Sequence, residues 1–530
     1  MSYSTISNSY VDKYISTINR QVIVRENFEI NKFENHIYIL IPCYNFGEYI
    51  KECLDSIYKE NYNNFTCVIV DDGSTDNTYD IISDYITMYN NIVLLSYDIN
   101  RGPAFGKYIG FMKIREICNP NDIVMIVDGD DYLMNNALNE INTTYNNYKC
   151  LFTYGSCTGE YCDQTSTVKD ITNYRKEKWM YSHPRTFKCI LLYFFKESDF
   201  KYIDNTWLQK GTDRNFVYKC LELSQNDRIH YINKNIYFYR SHQNNAHKLL
   251  DFEFRKKQID YTINQRPLSR FNETIHILMC SWKRVKYLHK IIKSIIKQDT
   301  EHPIIFHIVN NNINENENIS NIISEFKYPN RNIILHNNNE NLYGYSRFLK
   351  TRELLNKYYM DYILFIDDDQ ELPTNYVSRL YNLREPNTYK MWYGRDYNKK
   401  LFKMKDSDAK KEIDRKLDII YDVRFNHTDL VKGLKKDIRT FTYGGTGGCI
   451  IDTRIFLFDE LYTLEDEYKN IEDVWLSYIC YKNNWKIKRS YVLPNFLDDG
   501  RGDGKAQFLS MDKYHKYNFI KKLINSGWKI

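Results

Sequence analysis

An internal repeat limits what this chain can fold into more than any other feature of its sequence. Three strand-like blocks recur at an offset of 238 or 239 residues. The pairs are ILIPCYN (39–45) with ILMCSWK (277–283), VIVDDGS (68–74) with HIVNNNI (307–313), and VMIVDGDDYL (124–133) with ILFIDDDQEL (363–372). Blocks that keep register over such a distance predict two copies of one domain.

Apolar residues at helical spacing lie between the first two blocks of each half. They are Ile50, Leu54 and Ile57 in the first half, and Leu288, Ile291, Ile292 and Ile295 in the second. Alternating strands and helices predict a parallel sheet covered by helices on both faces. The expected fold class is therefore α/β, with two tandem Rossmann-like domains whose sheets are mostly parallel.

The domain organisation follows from this repeat and from local composition. We expect a polar lead-in at 1–34, a first domain at 35–250, a charged connector at 251–270 and a second domain at 271–530. A chain of 530 residues is too long for one ordinary core, in agreement with this division.

The charge balance and the short apolar runs give little support for a nucleic-acid partner or a membrane span. The 73 Lys and Arg residues nearly balance the 68 Asp and Glu residues and are scattered, which gives little support for a nucleic-acid partner. The polar N-terminus does not resemble a signal peptide, and no run of about 18 apolar residues could span a membrane. We therefore expect a soluble, cytoplasmic protein without a transmembrane segment.

An acidic cluster follows the apolar run VMIV within the third block of the first half. Asp128, Asp130 and Asp131 would raise one another's pKa unless a cation or hydrogen-bond donors stabilise their charge. Ligands of parallel sheets bind beyond the carboxyl ends of the strands, where this cluster lies. Carboxylate oxygens suit Mg²⁺ or Mn²⁺, so Asp128 and Asp130 are predicted metal ligands.

Four segments of the first half carry a resemblance to a known family. PCYN, VDDGSTDNT, NRGPAFGKYIG and VDGDD stand in the order and spacing of family 2 glycosyltransferases with the GT-A fold, which residues 35–250 resemble. The resemblance implies sugar transfer from a nucleotide sugar, UDP-linked in our interpretation. A bound cation would neutralise the charge of the departing diphosphate.

The resemblance also assigns nucleotide-binding roles. Asp72 matches a position that hydrogen-bonds the nucleobase in relatives, and a carboxylate accepting from the uracil N–H is chemically sensible. Pro42, Tyr44 and Asn45 would form the floor of the nucleotide site, and Arg101 could meet a phosphate or the base edge. Ordinary turn residues remain the alternative for these neighbours.

An inverting transfer needs a general base near the acceptor hydroxyl. Asp213, at the start of a predicted helix, stands where relatives carry an acidic motif, although a simple helix cap is the alternative. His242 matches a position that closes over the metal or the diphosphate in relatives, and SHPRTFK (182–188) resembles an acceptor-side segment.

The second half keeps this apparatus with changes. Asp367 and Asp369 align with the acidic pair of the first half and predict a second metal site. NIEDVWLSY resembles the segment from which such enzymes draw their base; Asp473 is our choice, with Glu472 adjacent. Asn311 replaces the predicted base-reading aspartate, and an amide can still hydrogen-bond a base edge, but without the charge.

These features predict a bifunctional, metal-dependent glycosyltransferase that is inverting and uses Mn²⁺ or Mg²⁺, a UDP-sugar donor and a glycan or glycoprotein acceptor. Two transferase modules in one chain resemble bacterial glycosaminoglycan polymerases. In its composition the chain also resembles transferases of giant DNA viruses, some of which glycosylate virion fibres or collagen-like proteins. The alternatives are one active module beside a scaffold, two binding modules without turnover, and a nucleotidyltransferase.

Overall fold

The computed structural model describes two compact units, Glu34–Phe271 and Asn272–Ile530. The residues described are 34–159, 171, 173–242, 251–415, 417–422, 440–497 and 514–530. The lead-in expected at 1–34 lies outside these residues except for Glu34.

The first unit is built on an eight-stranded sheet of order β3-β2-β1-β4-β7-β6-β8-β5. Its strands are β1 (Ile37–Cys43), β2 (Phe65–Asp72), β3 (Ile92–Tyr97), β4 (Ile123–Ile126), β5 (Tyr132–Leu133), β6 (Phe152–Thr158), β7 (Arg185–Lys188) and β8 (Ile229–Phe238). Strands β1 to β4 are parallel, and β7 pairs antiparallel with both β4 and β6.

The second unit has a seven-stranded sheet of order β11-β10-β9-β12-β17-β14-β18 and two small two-stranded sheets. Its strands are β9 (Ile275–Ser281), β10 (Ile304–Asn310), β11 (Arg331–Asn337), β12 (Tyr362–Ile366), β13 (Gln370–Glu371), β14 (Thr388–Met391), β15 (Gly394–Arg395), β16 (Tyr443–Gly444), β17 (Cys449–Asp452), β18 (Lys486–Arg489) and β19 (Asn495–Phe496). As in the first unit, the antiparallel strand β17 separates the parallel half of the sheet from the rest.

Helices cover both sheets. Those of the first unit are α1 (Ile50–Tyr58), α2 (Thr78–Met88), α3 (Pro103–Ile117), α4 (Ala137–Tyr148), α5 (Thr212–Ser224) and α6 (Phe252–Asn264). Those of the second are α7 (Leu288–Ile296), α8 (Asn316–Ser324), α9 (Ser346–Leu355), α10 (Tyr376–Asn382), α11 (Lys399–Lys403), α12 (Asp406–Arg415), α13 (Glu472–Lys482) and α14 (His515–Asn525). No helix among the described residues is long and apolar enough to cross a membrane.

The repeat extends further than the sequence alone indicates. Seven strands of the first sheet have counterparts in the same order in the second, whereas the sequence shows only three matching blocks. The predicted apolar faces of α1 and α7 are buried against the strands, and each buried Ile or Leu contributes roughly 1.5–3 kcal/mol. The expected α/β class is confirmed.

The segment 251–270, expected to be a connector, contains helix α6, which packs on α5 within the first unit. Arg175 joins the two helices because its guanidinium pairs with Glu222 on α5 and donates to the carbonyl of Thr262 on α6. The Gln258 side chain on α6 also accepts from the backbone N–H groups of Gln209 and Lys210, in the loop before α5. Polar anchoring of this kind explains why a strongly charged segment is held against the first unit.

Three histidines on adjacent parallel strands form a hydrogen-bonded row in the second unit. Nδ1 of His276 lies 3.0 Å from Nε2 of His307, whose Nδ1 lies 3.1 Å from Nε2 of His336. Burial lowers the pKa of His276 to about 3 and that of His336 to about 4. Tyr358 packs on the row, and Lys350, Glu353 and Lys357 on α9 and beyond it act on His336.

This row predicts that the second unit loses stability in mild acid. An unfolded histidine has a pKa of about 6.5, so the unfolded chain binds more protons and folding stability falls as the pH drops below that value. For His276 alone the loss in the free energy of unfolding between pH 7.5 and pH 5 is about 2 kcal/mol.

Urea unfolding of His276→Gln at both pH values should show a smaller loss of unfolding free energy than wild type. The matched control, His289→Gln, changes an exposed histidine on α7 and should keep the wild-type pH dependence. Equal losses in wild type and His276→Gln would contradict the prediction.

Candidate active site

The acidic clusters of both units lie at a reversal in strand order. In the first sheet β1 pairs with β2 on one side and with β4 on the other, so the loops after β1 and β4 diverge and leave a crevice. The loop after β4 carries Asp128, Asp130 and Asp131, and the loop after β12 carries the corresponding acidic residues of the second unit. The sequence prediction of where these carboxylates stand is thus matched by the strand boundaries.

Asp131 is the most deeply buried carboxylate of the first cluster. It accepts hydrogen bonds from the Tyr237 hydroxyl (2.7 Å) and the Arg240 backbone N–H (2.8 Å). Burial, together with the charges of Asp130 and Asp128, raises the pKa of Asp131 to about 9. Burial also raises the pKa of Asp128 to about 6. The cluster therefore holds more negative charge than its protein partners stabilise.

Asp130 and His242, both predicted at the metal site, are in direct contact. Nε2 of His242 lies 2.9 Å from a carboxylate oxygen of Asp130. The imidazole stacks on Tyr49, with ring centroids 4.7 Å apart, and meets the edge of Phe46 at 6.4 Å. Two aromatic contacts fix the orientation of the ring, with its Nε2 directed at the Asp130 carboxylate.

A buried lysine links the metal-side carboxylate to the predicted base. Nζ of Lys107, on α3, lies 2.7 Å from Asp213 and 3.8 Å from Asp128. Arg185 also reaches Asp213, at 2.9 Å. Although burial opposes the charge of Asp213, Lys107 and Arg185 hold its pKa below the usual range. Asp213 is therefore always ionised, but a carboxylate of such low pKa is a weak base.

His183 is a further buried group at this site. Its ring stacks on Tyr237 with centroids 4.7 Å apart, and its Nδ1 has no hydrogen-bond partner among the described residues. Asp128, Asp131 and His183 each offer a ligand atom within 4.8 Å of the others. Burial lowers the pKa of His183, which keeps the imidazole neutral. The sequence analysis includes this residue only as part of an acceptor-side segment.

The residues that are predicted to bind the nucleotide hold the loops around the crevice in place. The carboxylate of Asp72 accepts from the backbone N–H groups of Arg101 and Gly102, the latter at 2.6 Å. The Arg101 guanidinium lies over the rings of Phe105 (4.6 Å) and Tyr97 (5.3 Å). Asp72 thus sets the entry into α3, and a nucleobase would share this carboxylate with two backbone donors.

The loop after β1 is tied to the loop after β2. Asn45, in the left-handed region at φ 53°, accepts from the backbone N–H of Thr75 at 2.7 Å, and its own N–H donates to Ser74. Tyr44 is 40% exposed at the crevice, and Pro42 faces Gly106 on α3. These contacts hold the end of β1 and the loops after β1 and β2 together at the base of the crevice.

The second unit repeats the link from carboxylate to cation to carboxylate. Arg347 on α9 donates to Asp367 at 3.1 Å and interacts with Glu472, the first residue of α13. Burial raises the pKa of Glu472 to about 7, while Arg347 lowers it and Asp473 raises it further. Gly447 permits this arrangement because a Cβ there would lie 1.8 Å from Asp367.

Glu472 and Asp473 face different surroundings. Glu472 accepts at 3.1 Å from the hydroxyl of Thr446, which lies in the Gly-rich segment YGGTGG (443–448). Asp473 accepts from the Tyr443 hydroxyl and lies 3.5 Å from Lys516. Glu472 therefore shares the acidic cluster of Asp367, whereas Asp473 is held in a cluster of tyrosines.

Arg284 pairs with Asp368 and Asp369, the other two aspartates of the acidic cluster in the second unit. Nη1 of Arg284 is 2.8 Å from Asp369 and 3.3 Å from Asp368. Burial raises the pKa of Asp369 to about 7, and Arg284 lowers it.

Asn311 makes three hydrogen bonds with its side-chain amide, to Tyr343, Ser346 and Asn338. It ties β10 to the loop before α9, as Asp72 does in the first unit.

The geometry agrees with what comparison with known proteins shows. The family model "Glycosyl transferase family 2" matches residues 38–209 and again 276–440, which together make up more than half of the chain. The chain belongs to this family.

Individual members of glycosyl transferase family 2 are distant relatives. Glycosyltransferase GlyG of Streptococcus pneumoniae is 26% identical over 226 residues, which cover 38% of this chain and 70% of GlyG. An uncharacterized glycosyltransferase of Haemophilus influenzae is 29% identical over 142 residues, 26% of this chain and 54% of the relative. The crystal structure of S. aureus TarS 1–349 in complex with UDP aligns with 43% of this chain and 71% of that one, at 19% identity and a TM-score of 0.33.

Family membership makes the chain a nucleotide-sugar glycosyltransferase, and its two units are α/β domains. Sequence reasoning missed four basic residues of its sites: Lys107, Arg185, Arg284 and Arg347. A partial signal existed for Lys107 and Arg347, because they lie 240 residues apart, close to the repeat offset, in the corresponding helices α3 and α9.

Proposed function

We propose that both modules of this glycosyltransferase take part in sugar transfer from a nucleoside-diphosphate sugar, UDP-linked, to a glycan or glycoprotein acceptor, with inversion at the anomeric carbon. Collagen-like proteins and virion fibres belong to the acceptor class we propose. Each module would contribute a donor site beyond β4 or β12 and a base at the start of α5 or α13.

One repeated observation supports this proposal. In each module a buried cation pairs with the first aspartate of the acidic cluster and acts electrostatically on a carboxylate at a helix start: Lys107 on Asp128 and Asp213, and Arg347 on Asp367 and Glu472. A scaffold has no need to keep a buried cation beside two carboxylates, because burying unneeded charge costs several kcal/mol per ion. The repeated cluster therefore favours two working sites over the single-module alternative.

The residues of the first module fit a divalent cation. Asp130 and His242 present an oxygen and a nitrogen that converge, and the raised pKa of Asp128 and Asp131 indicates uncompensated negative charge. Mn²⁺ accepts such a mixed ligand set more readily than Mg²⁺, which prefers oxygen. When bound, the cation would neutralise the charge of the diphosphate leaving group.

The base of the second module is, in our proposal, Glu472. Its pKa of about 7 matches the pH at which a base works best, and its oxygen lies at the Gly-rich segment where an acceptor sugar could approach. Asp473, the first choice from sequence, is engaged by Tyr443 and Lys516. In the first module Asp213 remains the proposed base.

Nucleotide release from a panel of nucleotide sugars with Mn²⁺ tests the proposed function. Asp130→Ala should lower the Mn²⁺-stimulated release at least about tenfold, since metal stabilisation of a leaving group is worth several kcal/mol. Asp369→Ala should remove a separate share, and the double variant should lose both. Asp466→Ala, which changes an exposed carboxylate, is the control and should release nucleotide at the wild-type rate.

Two outcomes would contradict parts of this proposal. Wild-type release by the double variant would exclude the acidic clusters from the reaction. Complete loss from either single variant, with the other unaffected, would leave one active module and a scaffold.

A further inference from the structure

The acidic cluster of the second module already contains a fixed cation. Nη1 of Arg284 contacts carboxylate oxygens of both Asp368 and Asp369, and only 11% of the Arg284 side chain is exposed. Asp369 is the residue that aligns with Asp130, the proposed metal ligand of the first module. The guanidinium thus lies where the sequence analysis expects a metal ion.

The corresponding position in the first module is apolar. Strands β1 and β9 begin 238 residues apart, and Phe46 and Arg284 are each the third residue after their strand. Phe46 packs against Gly129, where a Cβ would lie 3.0 Å from its ring. In the second module Asp368 takes the place of that glycine. An aromatic–glycine contact in one module is therefore replaced by an arginine–aspartate ion pair in the other.

A divalent cation does not fit the second cluster as it stands. Mg²⁺ or Mn²⁺ bound by Asp369 would have to lie beside a guanidinium of the same sign, which already pairs with Oδ2 of that carboxylate. Displacing Arg284 would leave a largely buried charge without its carboxylate partners, which costs several kcal/mol. In the first module, by contrast, the partner of Asp130 is an imidazole, itself a metal ligand.

We propose that Arg284 replaces the divalent cation in the second module, so that this module binds the diphosphate of its donor through a guanidinium and works without metal. Guanidinium groups bind phosphate oxygens in bidentate geometry and stay charged at all physiological pH values. Asp368 and Asp369 hold Arg284 in place. The inference rests on the proposed nucleotide-sugar binding, and it divides the chain into one metal-dependent and one metal-independent module.

Counting bound Mn²⁺ on the full chain tests the first half of this inference. Electron paramagnetic resonance with excess UDP should show one Mn²⁺ per chain in wild type, none in Asp130→Asn and one in Asp369→Asn. Two Mn²⁺ ions per wild-type chain, or loss of bound Mn²⁺ in Asp369→Asn, would overturn the inference.

UDP binding in EDTA, measured by calorimetry, tests the second half. Wild type should bind UDP without metal, and Arg284→Met should weaken that binding about 10- to 100-fold, the usual worth of a charge-assisted contact. The control, Arg352→Met, removes an exposed arginine paired with Asp459 and should bind UDP as wild type does. Wild-type affinity in Arg284→Met would overturn the inference. UDP that bound neither with nor without Mn²⁺ would overturn the proposed function and this inference with it.

Discussion

Replacing Glu472 by glutamine is expected to lower turnover of the second module by about 10²–10⁴-fold, the range for loss of a general base. Glutamine keeps the size of the side chain and its contact with the Thr446 hydroxyl but cannot accept a proton. The measurement is steady-state transfer in an Asp130→Ala background, in which the metal-dependent share is absent. KM should change little, because the carboxylate acts on the acceptor hydroxyl in the transition state.

The pH profile separates a base from a positioning residue. Burial raises the pKa of Glu472 to about 7, so the active, ionised form is lost as the pH falls below that value. Wild-type kcat should therefore rise through pH 7, and the small residual rate of Glu472→Gln should not. Asp473→Asn is the matched control on the neighbouring carboxylate. A larger loss in Asp473→Asn than in Glu472→Gln would restore Asp473 as the base.

The sequence predicts the position of the acidic clusters well for a physical reason. A buried strand reads as a short apolar run, and the residue after it must lie at the sheet edge where ligands bind. Asp128 and Asp367 therefore follow β4 and β12 as expected. The α/β class and the apolar faces of α1 and α7 follow from the same periodicity.

The basic side chains that contact these carboxylates cannot be predicted from the sequence in the same way. Lys107 and Arg347 lie on helices, and a basic residue there predicts a solvated face unless its distant partner is known. Arg284 has its partners 84 and 85 residues further along the chain. The change from Phe46 to Arg284 directly after the first aligned block is visible in the sequence, but its meaning depends on Asp368 standing where the first half has Gly129.

Adjacent carboxylates at a helix start are a further limit. Glu472 and Asp473 both suit the first turn of a helix, where the dipole favours negative charge. Consecutive helical residues point in directions about 100° apart, so only one of them can face the acidic cluster. Which one does so depends on how α13 is docked against the Gly-rich segment, and tertiary packing decides that.

Replacing Lys107 by methionine is expected to destabilise the first unit by about 3 kcal/mol, at the low end for a broken buried ion pair because Asp213 is partly exposed. Methionine fills most of the volume of the lysine stem but leaves Asp128 without its cation, while Arg185 still reaches Asp213. Urea unfolding of the full chain should show one of its transitions shifted to lower denaturant.

Two further variants test whether this destabilisation comes from the uncompensated charge. Adding Asp128→Asn to Lys107→Met removes the uncompensated carboxylate and should restore a large part of the lost stability, since the cost lies in the buried charge rather than in the missing lysine stem. Lys113→Met on α3 breaks only an exposed pair with Glu116 and should change stability by less than about 1 kcal/mol. A double variant no more stable than Lys107→Met alone would show that Lys107 acts through packing, and the link between Asp128 and Asp213 would then carry no electrostatic weight.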